Sequence, residues 1–185
     1  EKNMKKHVNK YYILLLLASM FAAPGIAAYI FYQHPAWLGS AKVNKGTLLN
    51  PPVALGSLDN QSKWRIVFWS PALCDEACLK QLDMLARIRL ALGRKLYQVD
   101  QWLILGDETA PLSDEVKAIL KERDFHVTQL PLNEKEKLTT LSPAPKIFIV
   151  NPDNYLVLSY QSQVNPDDIY KDLKLLLNTT ERKST

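Results

Sequence analysis

The chemistry that this sequence can offer lies in Cys74 and Cys78, its only two cysteines, which follow the apolar run 64–69. Two side chains four residues apart at the start of a helix lie on one face of that helix. Their sulfur atoms are then close enough to form a disulfide or to bind one soft metal ion such as Cu(I). Three uses of the pair stay open: a structural disulfide, thiol–disulfide exchange and copper handling.

The N-terminal segment bears on the compartment in which these sulfurs work. Residues 11–32 carry no charged side chain and, at about 1.5 Å per residue, are long enough to cross roughly 30 Å of hydrocarbon. Four lysines precede them and only Glu1 opposes these lysines, so the positive-inside rule predicts a cytoplasmic N-terminus. We expect a cytoplasmic tail over 1–10, an inner-membrane anchor over 11–32 and a periplasmic C-terminal domain. A signal peptide cleaved near Ala28 is the alternative.

The charge and the motifs exclude several classes of function. The chain has 23 Lys and Arg against 19 Asp and Glu, a net charge of +4, but beyond residue 32 only 19 basic and 18 acidic residues remain. Nucleic-acid binding needs clustered Lys and Arg, so we expect no nucleic-acid partner. The sequence also contains no Gly-rich phosphate loop, no Gly-x-Ser-x-Gly elbow and no His-Glu-x-x-His motif.

The rest of the chain divides into a tether over 33–52, with a short strand or loop at 47–49, and one domain over 53–185. Within that domain the apolar patterns predict strands over 64–69, 99–105, 125–127, 146–150 and 155–160. Capping residues and helical spacing predict helices over 78–92, from Ser113 to about 123 and from Asn165 to about 178, with 133–140 a brief helix or a loop. This order predicts an α/β fold, a thioredoxin-like mixed sheet flanked by helices.

The stretch 67–78, which places Cys-x-x-x-Cys at a strand–helix junction, resembles the thioredoxin superfamily and, within it, the Sco/SenC branch. The resemblance covers roughly residues 50–178, including the strand that ends near Asp107 and the hairpin of residues 147–154. Members of that branch have one N-terminal membrane anchor and help to load the binuclear copper centre of cytochrome oxidase. The resemblance therefore implies Cu(I) bound by Cys74 and Cys78, and an oxidase subunit or another copper protein as partner.

The chain departs from that branch at one position. Sco proteins add a distal histidine just before the hairpin, where this chain has Leu-Ser-Pro-Ala-Pro at 141–145, and His126 lies about twenty residues earlier. Pro145 instead resembles the proline that thioredoxin-type sites place, in the cis form, opposite the cysteines; the sequence does not fix its isomer. We predict Cys74, Cys78 and Pro145 as catalytic residues, with the cysteines also as Cu(I) ligands.

The resulting hypothesis is a membrane-anchored periplasmic protein that assists assembly of the oxidase copper centre by thiol–disulfide exchange, by Cu(I) transfer or by both. The alternative is a non-catalytic assembly scaffold in which the disulfide only braces the fold, so enzymatic activity stays open. Met84 is expected to pack in the core because it lies about 600° around the helix from Cys78. Trp69 is interpreted as a core residue that also shields the sulfurs from water.

Overall fold

The computed structural model describes residues 2–34, 44–58, 62–106 and 112–183, with the backbone alone for 2–9 and 181–183. Two compact units, residues 1–42 and 43–185, are described separately below. The first contains helix α1 (Lys2–Gln33), which is continuous through Pro24. Over Lys10–Gln33 it is long and apolar enough to cross a membrane, by length and composition, as an N-terminal signal sequence also is. The predicted apolar helix is therefore present.

The second unit contains a six-stranded mixed sheet with strand order β1-β6-β5-β2-β3-β4. Its strands are β1 (Thr47–Ala54), β2 (Trp64–Ser70), β3 (Val99–Leu105), β4 (Phe125–Gln129), β5 (Lys146–Val150) and β6 (Tyr155–Gln161). Strands β2, β3 and β4 pair in parallel, whereas β2 with β5, β5 with β6 and β6 with β1 pair antiparallel. The parallel strands follow from the helical crossovers between them, and the antiparallel β5–β6 pair from the short turn at 151–154. The predicted mixed sheet is confirmed.

The helices of this unit are α2 (Glu76–Ala91), α3 (Asp114–Glu122), α4 (Leu132–Leu141) and α5 (Pro166–Lys183), and a 3₁₀ helix spans Gly93–Gln98. Most elements lie within a few residues of their predicted bounds. Gly93 adopts φ +60, the left-handed conformation that a glycine accepts without strain, and α2 ends just before it. The segment 133–140, for which the sequence predicts a brief helix or a loop, is helical.

Strand β1 is longer than its sequence indicated and includes residues 47–52, which had been assigned to the tether. The sequence obscures this strand because it contains Pro51 and Pro52, residues that cannot donate to a β-ladder. They are tolerated here because β1 lies at the edge of the sheet and pairs only with β6. The described tether residues therefore end at Gly46, and residues 35–43 lie outside the described part of the chain.

Both faces of the sheet bury apolar side chains, because alternate residues of each central strand point to opposite sides. On β2, Ile66 and Phe68 join the cluster that packs against α2, α3 and α5. Val67 and Trp69 join the cluster on the other face, which is covered by α4 and the segment around Leu55. The position of a residue on one face or the other decides which side chains can reach the cysteines.

Candidate redox site

The cysteines follow the carboxyl end of the central strand β2. The side-chain hydroxyl of Ser70, the last residue of β2, donates a hydrogen bond to the carbonyl of Ala72 at 3.0 Å. The neighbouring strand β3 supports the same turn, because the backbone N–H of Gly106 donates to the carbonyl of Ser70 at 2.8 Å. A Cβ atom on Gly106 would lie 2.7 Å from Cα of Pro71, so this close approach of two backbones requires glycine. The turn before Cys74 is thereby fixed against β3.

Cys74 and Cys78 form a disulfide, with their Cα atoms 5.1 Å apart. Cys74 precedes α2, Asp75 is the N-cap of that helix, and Cys78 lies in its first turn. The Asp75 carboxylate accepts a hydrogen bond from the backbone N–H of Cys78 at 3.0 Å. The structure thus brings the two predicted cysteines together at the β2–α2 junction. The capping role of Asp75 was missed from sequence, although an Asp three residues before the first buried helical position is a known N-cap signal.

Both half-cystines are nearly buried, with Cys74 8% and Cys78 6% exposed. They belong to the cluster on the α2, α3 and α5 face. The residue before them, Leu73, is 56% exposed, and Ala72 is exposed as well. An apolar, uncharged turn therefore borders the disulfide on its solvent side, and Cys74 belongs to that turn rather than to the helix.

Two opposing electrostatic effects act at this site. The N-terminus of α2 carries partial positive charge and unpaired N–H groups, which stabilise a thiolate in the reduced pair. Asp75 and Glu76 add negative charge beside the same sulfurs, and Glu76 is only partly offset by its ion pair with Lys80 at 2.8 Å, since both side chains are exposed. The two carboxylates oppose the helix dipole. We therefore expect the thiols here to be less acidic than cysteine thiols at a helix N-terminus that carries no Asp or Glu.

Pro145 lies at the same end of the sheet as the cysteines. In the antiparallel β2–β5 pair, Trp69 is the partner of Lys146, so the residue before Lys146 borders the carboxyl end of β2. The indole N–H of Trp69 donates to the carbonyl of Ser142 at 3.0 Å and ties the 142–145 segment to β2. Among the described residues the only cis peptide is Asn50–Pro51, so the bond before Pro145 is trans. Pro145 is exposed, and its role in the site stays a prediction.

The other candidate side chains lie on both faces of the sheet. His126 is the strand partner of Trp102 and stacks on its ring, with centroids 4.8 Å apart, on the face of the sheet opposite to the disulfide. Met84 packs against the cluster that holds the cysteines and lines a groove between α2 and α5. The interpretation of Trp69 as a shield for the sulfurs is wrong, because β2 alternation places its side chain in the opposite cluster.

A third metal ligand is not brought to the pair by the described residues. In the ranges 2–34, 44–58, 62–106 and 112–183, no group of three or more His, Cys, Asp or Glu side chains forms a metal-binding cluster. Two reduced thiolates on one helix face still provide the soft, low-coordinate ligation that Cu(I) accepts. The donor set therefore fits one Cu(I) held by two sulfurs and does not include the nitrogen ligands that Cu(II) prefers.

A mixed sheet with helices on both faces, and a cysteine pair between its central strand and the following helix, define a thioredoxin-fold protein with a dithiol site. A family model described as transmembrane-like, thioredoxin-like, C-terminal domain matches residues 64–180. The chain belongs to this family. A search of the curated proteins found no match.

Several solved structures are similar to this chain. Apo Sco1 from Thermus thermophilus matches with a TM-score of 0.55 and 18% identity, over 72% of this chain and 96% of that chain. Copper-bound yeast Sco1 has a TM-score of 0.49 and 16% identity, over 64% of this chain and 80% of that chain. A thiol:disulfide interchange protein from Bacteroides sp. has a TM-score of 0.45 and 18% identity, over 72% of this chain and 90% of that chain. At 18% identity the likeness to the Thermus thermophilus protein is one of fold.

Proposed function

We propose that this protein is a membrane-anchored dithiol protein that exchanges disulfides with the cysteines of a copper-binding partner during assembly of cytochrome oxidase. The observation that carries the proposal is the Cys74–Cys78 disulfide at the junction of the central strand and the N-terminus of α2. A helix N-terminus favours the thiolate that such exchange needs. The fold likeness to Sco proteins supports the choice of an oxidase copper centre as the context.

Disulfide exchange with the partner takes place in two thiolate attacks. A thiolate of the reduced pair attacks one sulfur of a disulfide in the partner, which breaks that bond and releases one partner thiolate. The second thiol of the pair, after losing its proton, attacks the mixed disulfide, forms Cys74–Cys78 and releases the second partner thiolate. Two electrons pass to the partner, and the two thiol protons pass to solvent or to the released thiolates. A separate dithiol reductant must then reduce Cys74–Cys78 again.

Cys74 is assigned as the attacking residue because of its place in the chain. It lies before α2, in the turn of residues 71–74, whereas Cys78 lies inside the first helical turn. A small displacement of that exposed turn can uncover the Cys74 sulfur without unfolding α2. Since loop closure over so few residues contributes little to stability in the entropic model, a structural role alone is a weak explanation for the bridge.

Cu(I) transfer is the second candidate for the same pair. It is favoured by the two sulfurs on one side of the helix start, which suit Cu(I) once they are reduced and deprotonated. In this case Cu(I) is cargo that passes from the pair to the partner. A non-catalytic assembly scaffold is the remaining alternative, and it requires that neither exchange nor copper uptake depends on the cysteines.

We place the domain in the periplasm with α1 as an uncleaved anchor, on the basis of the basic N-terminal tail and the charge-free segment of residues 11–32. A reporter enzyme that is active only outside the cytoplasm, fused after Thr185, should be active. The protein should also stay in membranes after a carbonate wash. Soluble protein cut near Ala28 would contradict the anchor.

The exchange activity is tested by trapping a mixed disulfide with the full chain in a neutral detergent. The probe is a peptide with one internal disulfide, incubated with the reduced Cys78→Ser variant and with the reduced Cys74→Ser variant as its matched partner. Cys78→Ser should accumulate a covalent peptide adduct at least about tenfold faster, because only Cys74 lies in the accessible turn. Adducts on neither variant would contradict exchange, and adducts chiefly on Cys74→Ser would reverse the assignment of the attacking sulfur.

A further inference from the structure

A polar pocket of about 330 Å³ lies at the same end of the sheet as the disulfide. Strand pairing fixes this location, because Lys146 at the start of β5 is the partner of Trp69 near the end of β2, the strand that leads to Cys74. On its other side Lys146 is the partner of Gln161 at the end of β6. The pocket is thus adjacent to Pro145 and is lined by Lys45, Thr47, Lys146, Ser159, Gln161 and Gln163, among others.

Two lysines and one buried carboxylate set the charge of the pocket: Lys45 and Lys146 line it, and Asp172 lies behind the wall that carries Lys45. Within the described ranges neither Lys45 nor Lys146 forms an ion pair through its ammonium group. No Asp or Glu is among the lining residues. The hydroxyl of Thr47 and the amides of Gln161 and Gln163 add hydrogen-bond donors that suit a carboxylate. Two lysines at the pocket surface against one carboxylate buried behind it leave the pocket complementary to negative charge.

The wall that carries Lys45 is held in place by a buried carboxylate. Asp172 on α5 is 1% exposed and accepts hydrogen bonds from the N–H of Lys45 at 2.8 Å, the N–H of Gly46 at 2.8 Å and the hydroxyl of Tyr160 at 2.6 Å. A Cβ atom on Gly46 would lie 2.5 Å from the Tyr160 ring, so glycine permits this close packing. Burial, and then the hydrogen bond to Asp172, raises the pKa of Tyr160 well above its usual range, so its hydroxyl remains a donor. The backbone that carries Lys45 is therefore held in place before any ligand binds.

We infer that this pocket, defined by Lys45 and Lys146, binds an acidic side chain of the polypeptide whose disulfide the Cys74–Cys78 pair reduces. The inference rests on the proposed function and specifies its substrate class: a cysteine-containing segment with Asp or Glu near the cysteines. Lys146 pairs with Trp69 and therefore lies on the face of the sheet opposite to the disulfide. A bound segment consequently reaches both the cysteines and Lys146 by crossing the end of the sheet at Pro145, the residue before Lys146. The positive charges of Lys45 and Lys146 then increase the rate of encounter with acidic segments and select against basic segments.

The test compares two peptides that differ only in charge. Each contains one internal disulfide, flanked on both sides by Glu in one peptide and by Gln in the other. The reduced full chain in neutral detergent is mixed with each peptide, and peptide reduction is followed by mass spectrometry after an acid quench. The variants are Lys45→Gln with Lys146→Gln together, and Lys137→Gln as a control, since Lys137 is exposed on α4 and outside the pocket. Thermal unfolding of each variant verifies folding.

The wild-type chain should reduce the Glu peptide on the order of three- to tenfold faster than the Gln peptide at low salt, and high salt should remove the difference. The double variant should lose this preference and keep its rate with the Gln peptide, whereas Lys137→Gln should keep the preference. Equal wild-type rates for the two peptides would overturn the inference and leave exchange intact. A loss of preference in Lys137→Gln as large as in the double variant would also overturn it, because net charge alone would then explain the effect.

A binding measurement separates this inference from the proposed function. A fluorescent Glu peptide without cysteines is titrated with the oxidised full chain, so that no exchange can occur. Wild type should bind it at least about threefold more tightly than the double variant does. If neither disulfide peptide is reduced, the proposed exchange function fails, and this titration still decides whether the pocket binds acidic segments. Equal affinity of the wild type and the double variant for this peptide would overturn the inference that the pocket binds acidic segments.

Discussion

The carboxylate of Asp75 accepts a hydrogen bond from the backbone N–H of Cys78 at 3.0 Å, and this single contact both starts helix α2 and places a negative charge beside the disulfide. An N-cap Asp satisfies one of the free N–H groups at a helix start. The same N–H would otherwise be free to stabilise a thiolate on Cys74, the sulfur assigned as the attacking one. Helix stability and thiol acidity therefore compete at this position.

Replacing Asp75 with Asn separates these two effects. Asn keeps an oxygen acceptor for the cap but removes the charge, so the pKa of the first thiol to react should fall. The measurement is the pH dependence of alkylation of the reduced full chain with iodoacetamide. Glu115→Gln is the control, since Glu115 lies in the first turn of α3, and this variant should leave the thiol profile unchanged. A thiol pKa in Asp75→Asn that equals or exceeds the wild-type value would contradict the electrostatic argument.

Gly106→Ala tests the support of the turn before Cys74. The added Cβ would lie 2.7 Å from Cα of Pro71 and 2.8 Å from its carbonyl oxygen, so the turn must move. We expect a loss of about 1–3 kcal/mol in the free energy of unfolding together with a changed exchange rate. Gly56→Ala is the matched control, because its nearest neighbour is Glu134 Oε1 at 3.5 Å, an ordinary contact, and its stability should change by less than about 1 kcal/mol. Denaturant unfolding of both variants gives the comparison.

The sheet and its helices were predictable because their signals are local. The run 99–105 is mostly apolar and forms β3 over the same residues, and Ser113 caps α3 as its type and place indicate. Strand β1 was underestimated because its partner, β6, lies more than a hundred residues away and Pro51 and Pro52 conceal the pattern. Pairing between distant strands leaves little trace in a short window of sequence.

The site was predictable to the level of the cysteine pair and no further. The spacing of Cys74 and Cys78 indicated a shared helix face, and they form a disulfide there. The sequence could not show that Gly106 from the next strand touches Pro71, since that contact depends on parallel pairing of β2 and β3. The sequence also could not place Trp69 and His126 on the face of the sheet opposite to the cysteines. Alternation along a strand assigns its residues to two faces but does not determine which face packs against α2.

Tyr160→Phe gives a pH-dependent test of the buried network around Asp172. Burial, then the hydrogen bond to Asp172, raises the pKa of Tyr160, so above about pH 10 the unfolded chain loses this proton while the folded chain keeps it. The unfolded state then binds fewer protons, and the free energy of unfolding falls by up to about 1.4 kcal/mol per pH unit. Phenylalanine has no phenol proton, so the free energy of unfolding of the variant lacks this pH dependence. It should be less stable than wild type by about 2 kcal/mol at neutral pH, and the gap should narrow as the pH rises past 10.

The control for this series is Tyr97→Phe, because Tyr97 is 74% exposed. Its stability difference from wild type should stay near zero between about pH 8 and pH 11. Urea unfolding at several pH values supplies the measurement. A gap between wild type and Tyr160→Phe that stays constant over the same range would contradict the buried-phenol explanation.

Copper uptake should depend on the two cysteines alone. The reduced chain is expected to bind at most one Cu(I) and to hold Cu(II) poorly, because its ligands are two thiolates. Cys74→Ser or Cys78→Ser should abolish tight Cu(I) binding, whereas Met84→Leu and His126→Ala should leave it intact, since His126 lies on the other face of the sheet. Competition with a colorimetric Cu(I) chelator under reducing conditions compares the four variants. Loss of tight binding in His126→Ala would show that the ligand set is wrong.

The reduction potential of the Cys74–Cys78 pair in the full chain tests the proposed exchange function most directly. It is measured by equilibrating the protein with thiol–disulfide buffers of known potential and quantifying the free thiols at each point. A pair that cycles during exchange should have a potential above about −300 mV, in the range of exchanging dithiol proteins. A potential below about −300 mV would identify a structural bridge and contradict the exchange function.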